Sequence, residues 1–269
     1  MALAACSVER EAARTYAEVT GAVQAAGGMR TERAPADAPF GTADLARNFE
    51  RIVFFTEFAL EDSALIPRET EARLMKWATP IRYRLVGDAV TLDDIDAYAA
   101  LARRLSAATG LSIARAGPDE DDNLLILILS RAARRQAAEF LAAANSPARA
   151  GLLYRLRGDD YSIPCAASVS TGPDSPAITQ AIILIKAETA GILRESCAHE
   201  EFAQALGPGN DFDGARPSIF NDDQEFALLT AHDEMILRVL YDPRLRPGMT
   251  RAEGMPIARA IITGLGLPD

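Results

Sequence analysis

The sequence predicts an α+β fold, with a mixed sheet, N-terminal helices and a C-terminal helical half. Three observations lead there. Strand-like runs (Ile81 to Val86, Leu124 to Leu129, Ile178 to Ile185) alternate with amphipathic helical stretches. The last three helical stretches all follow the last strand. The chain has 269 residues and is 49% hydrophobic, so it can bury a large core without staples. Residues 42–269 are expected to form one domain.

Each element has a local reason. Residues 7–26 are rich in Ala, Glu and Arg and can be helical. Residues 27–42 hold Gly and spaced Pro and read as a flexible linker, so residues 7–41 are expected to act as a tether. Thr42 to Asp44 can cap a helix from Leu45 to about Phe58, with Leu45, Phe49, Ile52, Val53 and Phe55 available for burial. Ile81 to Val86 alternates as a strand does. Thr91 caps a helix that presents Ile95, Tyr98, Leu101, Ala102 and Leu105, and Gly110 stops it. Leu111 to Ala114 is a short strand. Gly117 to Asn123 is an acidic turn without calcium-loop spacing. Leu124 to Leu129 is continuously apolar, as a fully buried strand is. Residues 131–143 form a helix, 163–170 and 177–188 two strands, and Ile192 to Leu206 a helix ending at Gly207. Helices are expected over Asp222 to Tyr241 and over 251–264.

Composition removes several function classes. Net charge is −10, so the chain lacks the basic face that nucleic acid requires. No run of 18 apolar residues exists, so no transmembrane helix is expected. There is no G-x-S-x-G, no P-loop and no G-x-G-x-x-G after a strand. The only histidines are His199 and His232. Ser218, His232 and Asp233 do not make a hydrolase set, because adjacent helical residues point about 100° apart.

Leu3-Ala4-Ala5-Cys6 is similar to the bacterial lipobox, after which Cys6 is lipidated. Residues 1–6 then read as the remnant of a lipoprotein signal peptide. The expected location is the periplasmic face of a bacterial membrane, held by a lipid anchor. Ser7 after the cysteine points to the outer membrane by similarity to enterobacterial lipoproteins. With Cys6 lipidated, Cys165 and Cys197 remain as a pair that a periplasmic protein can oxidise. Two buried free thiols are the alternative.

Residues 200–211 carry a spacing with chemical meaning. Glu200-Glu201-x-x-Gln204-x-x-Gly207-x-x-Asn210-Asp211 resembles the metzincin protease motif H-E-x-x-H-x-x-G-x-x-H-D. Glu200, Gln204 and Asn210 stand at the histidine positions, while Glu201, Gly207 and Asp211 match. Pro247-Gly-Met249-Thr250 lies where those proteases place a methionine beneath the metal. The resemblance implies a zincin-like sheet and a cleft. Positions 200 and 204 share a helix face, and Glu201 is offset toward a reacting water. An amide is a poor zinc ligand, so no metal is expected. The leading reading is a pseudoenzyme that binds a peptide, a cell-wall component or a partner protein. The alternative is a peptidase or amidase with a carboxylate-rich cation site, in which Glu201 is the catalytic base and Glu200, Asn210 and Asp211 supply oxygens. Residues 195–235 hold ten acids against one base, Arg216.

A wider pattern resembles one family. Cys197-x-x-Glu-Glu-x-x-Gln, Pro217 to Asp222, Leu229 to Asp233 and Leu240 to Met249, with Trp77 to Ile81 upstream, resemble domain-of-unknown-function family 2927. The resemblance spans residues 45–257 and implies a bacterial envelope protein, often lipid-anchored.

Overall fold

The protein is described by a computed structural model over residues 2–61, 64–143, 155–158, 162–172, 175–221 and 223–268. Helices α1 (Ala2–Ala25) and α2 (Thr42–Val53) precede a hairpin of β1 (Phe55–Glu61) and β2 (Ala64–Glu71). Then follow β3 (Ile81–Val86), α3 (Leu92–Thr109), β4 (Ile113–Arg115), β5 (Leu124–Leu129) and α4 (Arg131–Ala143). The second half holds β6 (Cys165–Gly172), β7 (Ser175–Lys186), α5 (Gly191–Gln204), α6 (Ala231–Leu240) and α7 (Arg251–Thr263). The main sheet has the order β4-β3-β5-β7-β6. Strands β3, β4, β5 and β7 are parallel, and edge strand β6 runs antiparallel to β7. The architecture is therefore α+β with a mixed sheet.

Burial follows the sequence pattern. Leu124, Ile126 and Ile128 of the central strand β5 are fully buried. The main core joins that strand to Leu45, Phe49 and Ile52 of α2, Tyr98 and Leu105 of α3, Phe202 of α5 and Ile236 of α6. Helix α3 starts with a reciprocal capping box between Thr91 and Asp94 and ends at Gly110, whose φ is +74°. Ile95 of its expected face is only half-buried. Gly87 closes β3, where an added Cβ would stand 1.9 Å from the Ile128 carbonyl oxygen.

Three stretches differ from expectation. Helix α2 stops at Val53, not near Phe58, because the buried Phe54 turns the chain and its carbonyl accepts from Ala72 N–H at 2.8 Å. Phe55 to Glu71 is the hairpin, and the helical spacing of Phe49, Ile52 and Val53 ends with α2 before it. The second difference is the helix expected from Asp222. Helix α6 begins only at Ala231, behind the Thr230 cap. Residue 222 lies outside the described residues.

The third difference explains the second. Residues 28–41, read from the sequence as flexible, lie along the body. Arg30 bridges Phe226 strand-to-strand, Met29 N–H donates to Gln224 O at 2.8 Å, and Ala227 N–H donates to Arg30 O at 2.8 Å. Arg30 also binds Asp37 (2.7 Å) and Glu225 (2.9 Å), and Arg216 binds Glu225 at 2.6 Å. Backbone groups that a helix over 224–230 would use internally are taken by this strap. Helix α1 is docked too. Ala12, Tyr16 and Thr20 form one buried stripe, close to the buried Arg134–Glu188 ion pair (2.8 Å).

The Thr230 cap gives a direct test. Its hydroxyl donates to Pro217 O (2.8 Å) and bonds the Asp233 carboxylate (2.9 Å), and Asp233 N–H donates to it. Thr230→Ala is expected to cost about 1–2 kcal/mol in urea unfolding, and Thr230→Ser about half of that or less.

Candidate functional site

Helix α5 follows β7 directly and packs on edge strand β6. A disulfide joins Cys197 on the helix to Cys165 at the start of β6, with Cα atoms 5.8 Å apart. Phe202 is fully buried against the rings of Tyr83 and Tyr98, with centroids 5.7 and 5.9 Å away. Those contacts fix the helix's rotation. Residue 201 then lies one turn beyond 197 on the buried face. Glu201 is only 5% exposed.

A pocket of about 390 Å³ opens beside this carboxyl, with Glu200, Gln204 and Asp211 also in its wall. The facing wall holds Glu57 of β1, Met75, Arg155, and Ala167 and Val169 of β6. The backbone N–H of Ala167 lies close enough to Glu201 to favour its ionised form slightly. Its Oε2 is buried and has no hydrogen-bond partner. Burial pushes the Glu201 carboxyl up to about 8; Arg155 opposes this, while Asp211 and Glu57 add to it. Glu201 thus holds its proton at neutral pH.

The motif residues do not all converge. Glu200, Glu201, Gln204 and Asp211 meet at the pocket. Gln204 Nε2 donates to Asp211 Oδ1 at 3.4 Å. Asn210 turns away and donates to Arg51 O (3.1 Å) and Glu69 Oε2 (3.2 Å), tying the loop to α2 and β2. Gly207 makes the reversal at φ +128°, where an added Cβ would stand 2.2 Å from the Met75 carbonyl oxygen. Met249 is not in the pocket wall. Its sulfur accepts from Arg246 N–H at 3.4 Å, and its carbonyl accepts from Leu74 N–H at 2.9 Å. The methionine at the pocket is Met75, which that turn holds from behind. Cys6 falls within α1.

The zinc implied by the motif resemblance does not fit these residues. The three ligand positions carry a carboxylate and two amides, and one amide points elsewhere. Among the described residues, no group of three His, Cys, Asp or Glu side chains could hold a metal ion. His199 lies on another flank, beside a cavity of about 610 Å³ between α3 and α5. Its Nδ1 accepts from Leu229 N–H at 3.0 Å, and burial, helped by Arg104, pushes it down to about 4. Ser218, His232 and Asp233 are fully buried and form a structural hub. Ser218 donates to Asp233 at 2.5 Å, and Asn48 Nδ2 bonds His232 Nε2 at 3.0 Å.

Glu57, Met75 and Arg155 were not foreseen. Glu57 lies in the hairpin that helical spacing obscured. Met75 and Arg155 lie in segments without periodicity, and nothing local marks them.

Two outcomes are expected here. Gly207→Ala meets a backbone oxygen and should cost more than about 3 kcal/mol, measured by chemical denaturation. For Glu201, the folded state binds the proton more tightly than the unfolded chain. Its contribution is full below the usual glutamate value and is lost as pH rises to about 8. Thermal melts of the wild type should therefore lose stability from pH 5 to pH 8.5 more steeply than those of Glu201→Gln.

No curated protein matches the chain. The profile of a family described as Protein of unknown function (DUF2927) matches residues 42–260, from the start of α2 to within α7. The chain belongs to the DUF2927 family.

Proposed function

We propose that this protein is a non-catalytic binding module of the bacterial envelope, a metzincin-like pseudoenzyme whose pocket beside α5 holds a ligand without turning it over. One observation carries the reading. Of the positions that would hold a metal, Asn210 is tied away from the pocket, to Arg51 and Glu69, and Gln204 is engaged by Asp211 in the pocket wall. Catalysis by a metal-bound water needs ligands that hold the ion with an open position, and this set does not converge. A protonated Glu201 is also a poor general base at neutral pH.

Support for the zincin-like part comes from topology. One antiparallel edge strand borders four parallel strands, and the motif helix follows the last strand. The alternative, a hydrolase with Glu200, Asn210 and Asp211 around a cation, is weakened by Asn210 facing away. The pocket remains open beside edge strand β6, and its acids suit a peptide, a cell-wall component or a partner protein.

The proposal includes a lipid anchor at Cys6 and location at the periplasmic face of the outer membrane. Several acyl chains give stable anchoring. Because α1 and the strap lie on the body, an anchor there would hold the domain close to the bilayer. No described helix is long and apolar enough to cross a membrane.

Protein purified without chelator should carry clearly less than one equivalent of any transition metal. Peptidase and amidase assays should show no turnover that Glu201→Gln removes. A stoichiometric metal lost on Glu200→Ala, with activity lost on Glu201→Gln, contradicts the reading. Expressed with its native upstream sequence, the protein should yield a Cys6 peptide carrying acyl mass in the membrane fraction; an unmodified Cys6 peptide in the soluble fraction overturns the anchor.

A further inference from the structure

We propose that the pocket beside α5 receives the primary ammonium group of an alkyl chain, with Glu201 as the acceptor in its wall. This inference rests on the binding reading and names its ligand chemistry.

The buried carboxyl is the first ground. Glu201 is 5% exposed, and its charged neighbours Arg155, Asp211 and Glu57 all line this one pocket. Its Oε2 is buried and has no hydrogen-bond partner. A buried polar atom without a partner is uncommon, and the residue that carries it is one of those lining this cavity. In the ionised carboxylate, the group that Oε2 lacks is a hydrogen-bond donor.

The rest of the wall is the second ground. Glu57, Glu200 and Asp211 line the same pocket, against Arg155, the one base among the described lining residues. The excess is negative even with Glu201 protonated. An ammonium brings three donors and no acceptor, so it matches acceptors alone. It is also compact, and it tolerates irregular acceptor geometry that a metal ion does not. Met75, Pro164 and Val169 give apolar surface for a methylene chain.

Proton linkage follows. An ammonium at Oε2 favours the ionised carboxylate, so binding releases the Glu201 proton to solvent. The charged and titratable groups around Glu201 are Arg155, Asp211, Glu57 and Glu200, with Tyr98 of α3 close enough to feel its charge.

Calorimetric titration of the full chain tests this. The probes are acetyl-Ala-Lys-Ala-amide, its norleucine counterpart and 1,5-diaminopentane. The lysine peptide should bind at least roughly tenfold more tightly than the norleucine peptide, and roughly tenfold more tightly at pH 8.5 than at pH 6.5. Binding of diaminopentane with the same pH dependence assigns the site to free amines as well; binding of the lysine peptide alone assigns it to peptides. Glu201→Gln should abolish the pH dependence and the preference for lysine. Glu57→Gln, on the wall, should weaken the lysine peptide a few-fold, which keeps the test informative if the first variant folds poorly. Equal affinity for lysine and norleucine, no binding of any probe, or an unchanged pH dependence in Glu201→Gln overturns the inference and leaves the module reading standing. Cleavage of either peptide, read by mass spectrometry, overturns the module reading instead; the affinities still report the ammonium preference.

Discussion

Helix α5 can be seated on the sheet in only one rotation, and the site depends on that seating. Cys197 is joined to Cys165, and Phe202 is enclosed by Tyr83 and Tyr98. With 197 and 202 both facing inward, residue 201 has nowhere to go but the interface with β6. A carboxylate taken from water into such a place loses far more solvation than one backbone N–H returns. The side chain answers by keeping its proton. What the helix delivers to the pocket is therefore a neutral acid, not a charged base.

Loop geometry follows from the same seating. Gly207 reverses the chain against the Met75 carbonyl, Asn210 fastens the loop to α2 and β2, and Asp211 swings back to Gln204. These contacts do by hydrogen bonds what a metal centre would do by coordination, namely hold a helix and the following loop in fixed relation. A satisfied network of this kind is rigid and specific, which suits recognition.

Much of this was legible in the sequence, and the reasons are local. The α3 helix announces itself by Thr91, Asp94 and Gly110, and β5 by six consecutive apolar residues. Glu200, Glu201, Gln204 and Asp211 share the pocket because helical spacing and a glycine turn bring them together. What stayed hidden is non-local. The strap over residues 28–41 looks flexible because its Gly and Pro content is high, yet its backbone pairs with residues 224–227, almost 200 positions away. The helix expected over 223–230 is absent because those residues are the other half of that pairing. Met249 was placed by motif spacing, but the turn that holds it pairs with Leu74 and thereby presents Met75.

The central claim is that Glu201 is a buried carboxyl in the wall of a binding pocket that keeps its proton at neutral pH. Carbon-13 NMR of glutamate carboxyls, with the resonance assigned by its loss in Glu201→Gln, measures it directly. The account predicts one glutamate titrating with a midpoint near 8. A Glu201 midpoint within the ordinary range near 4.3 would mean an ionised, solvated carboxylate and would contradict the account.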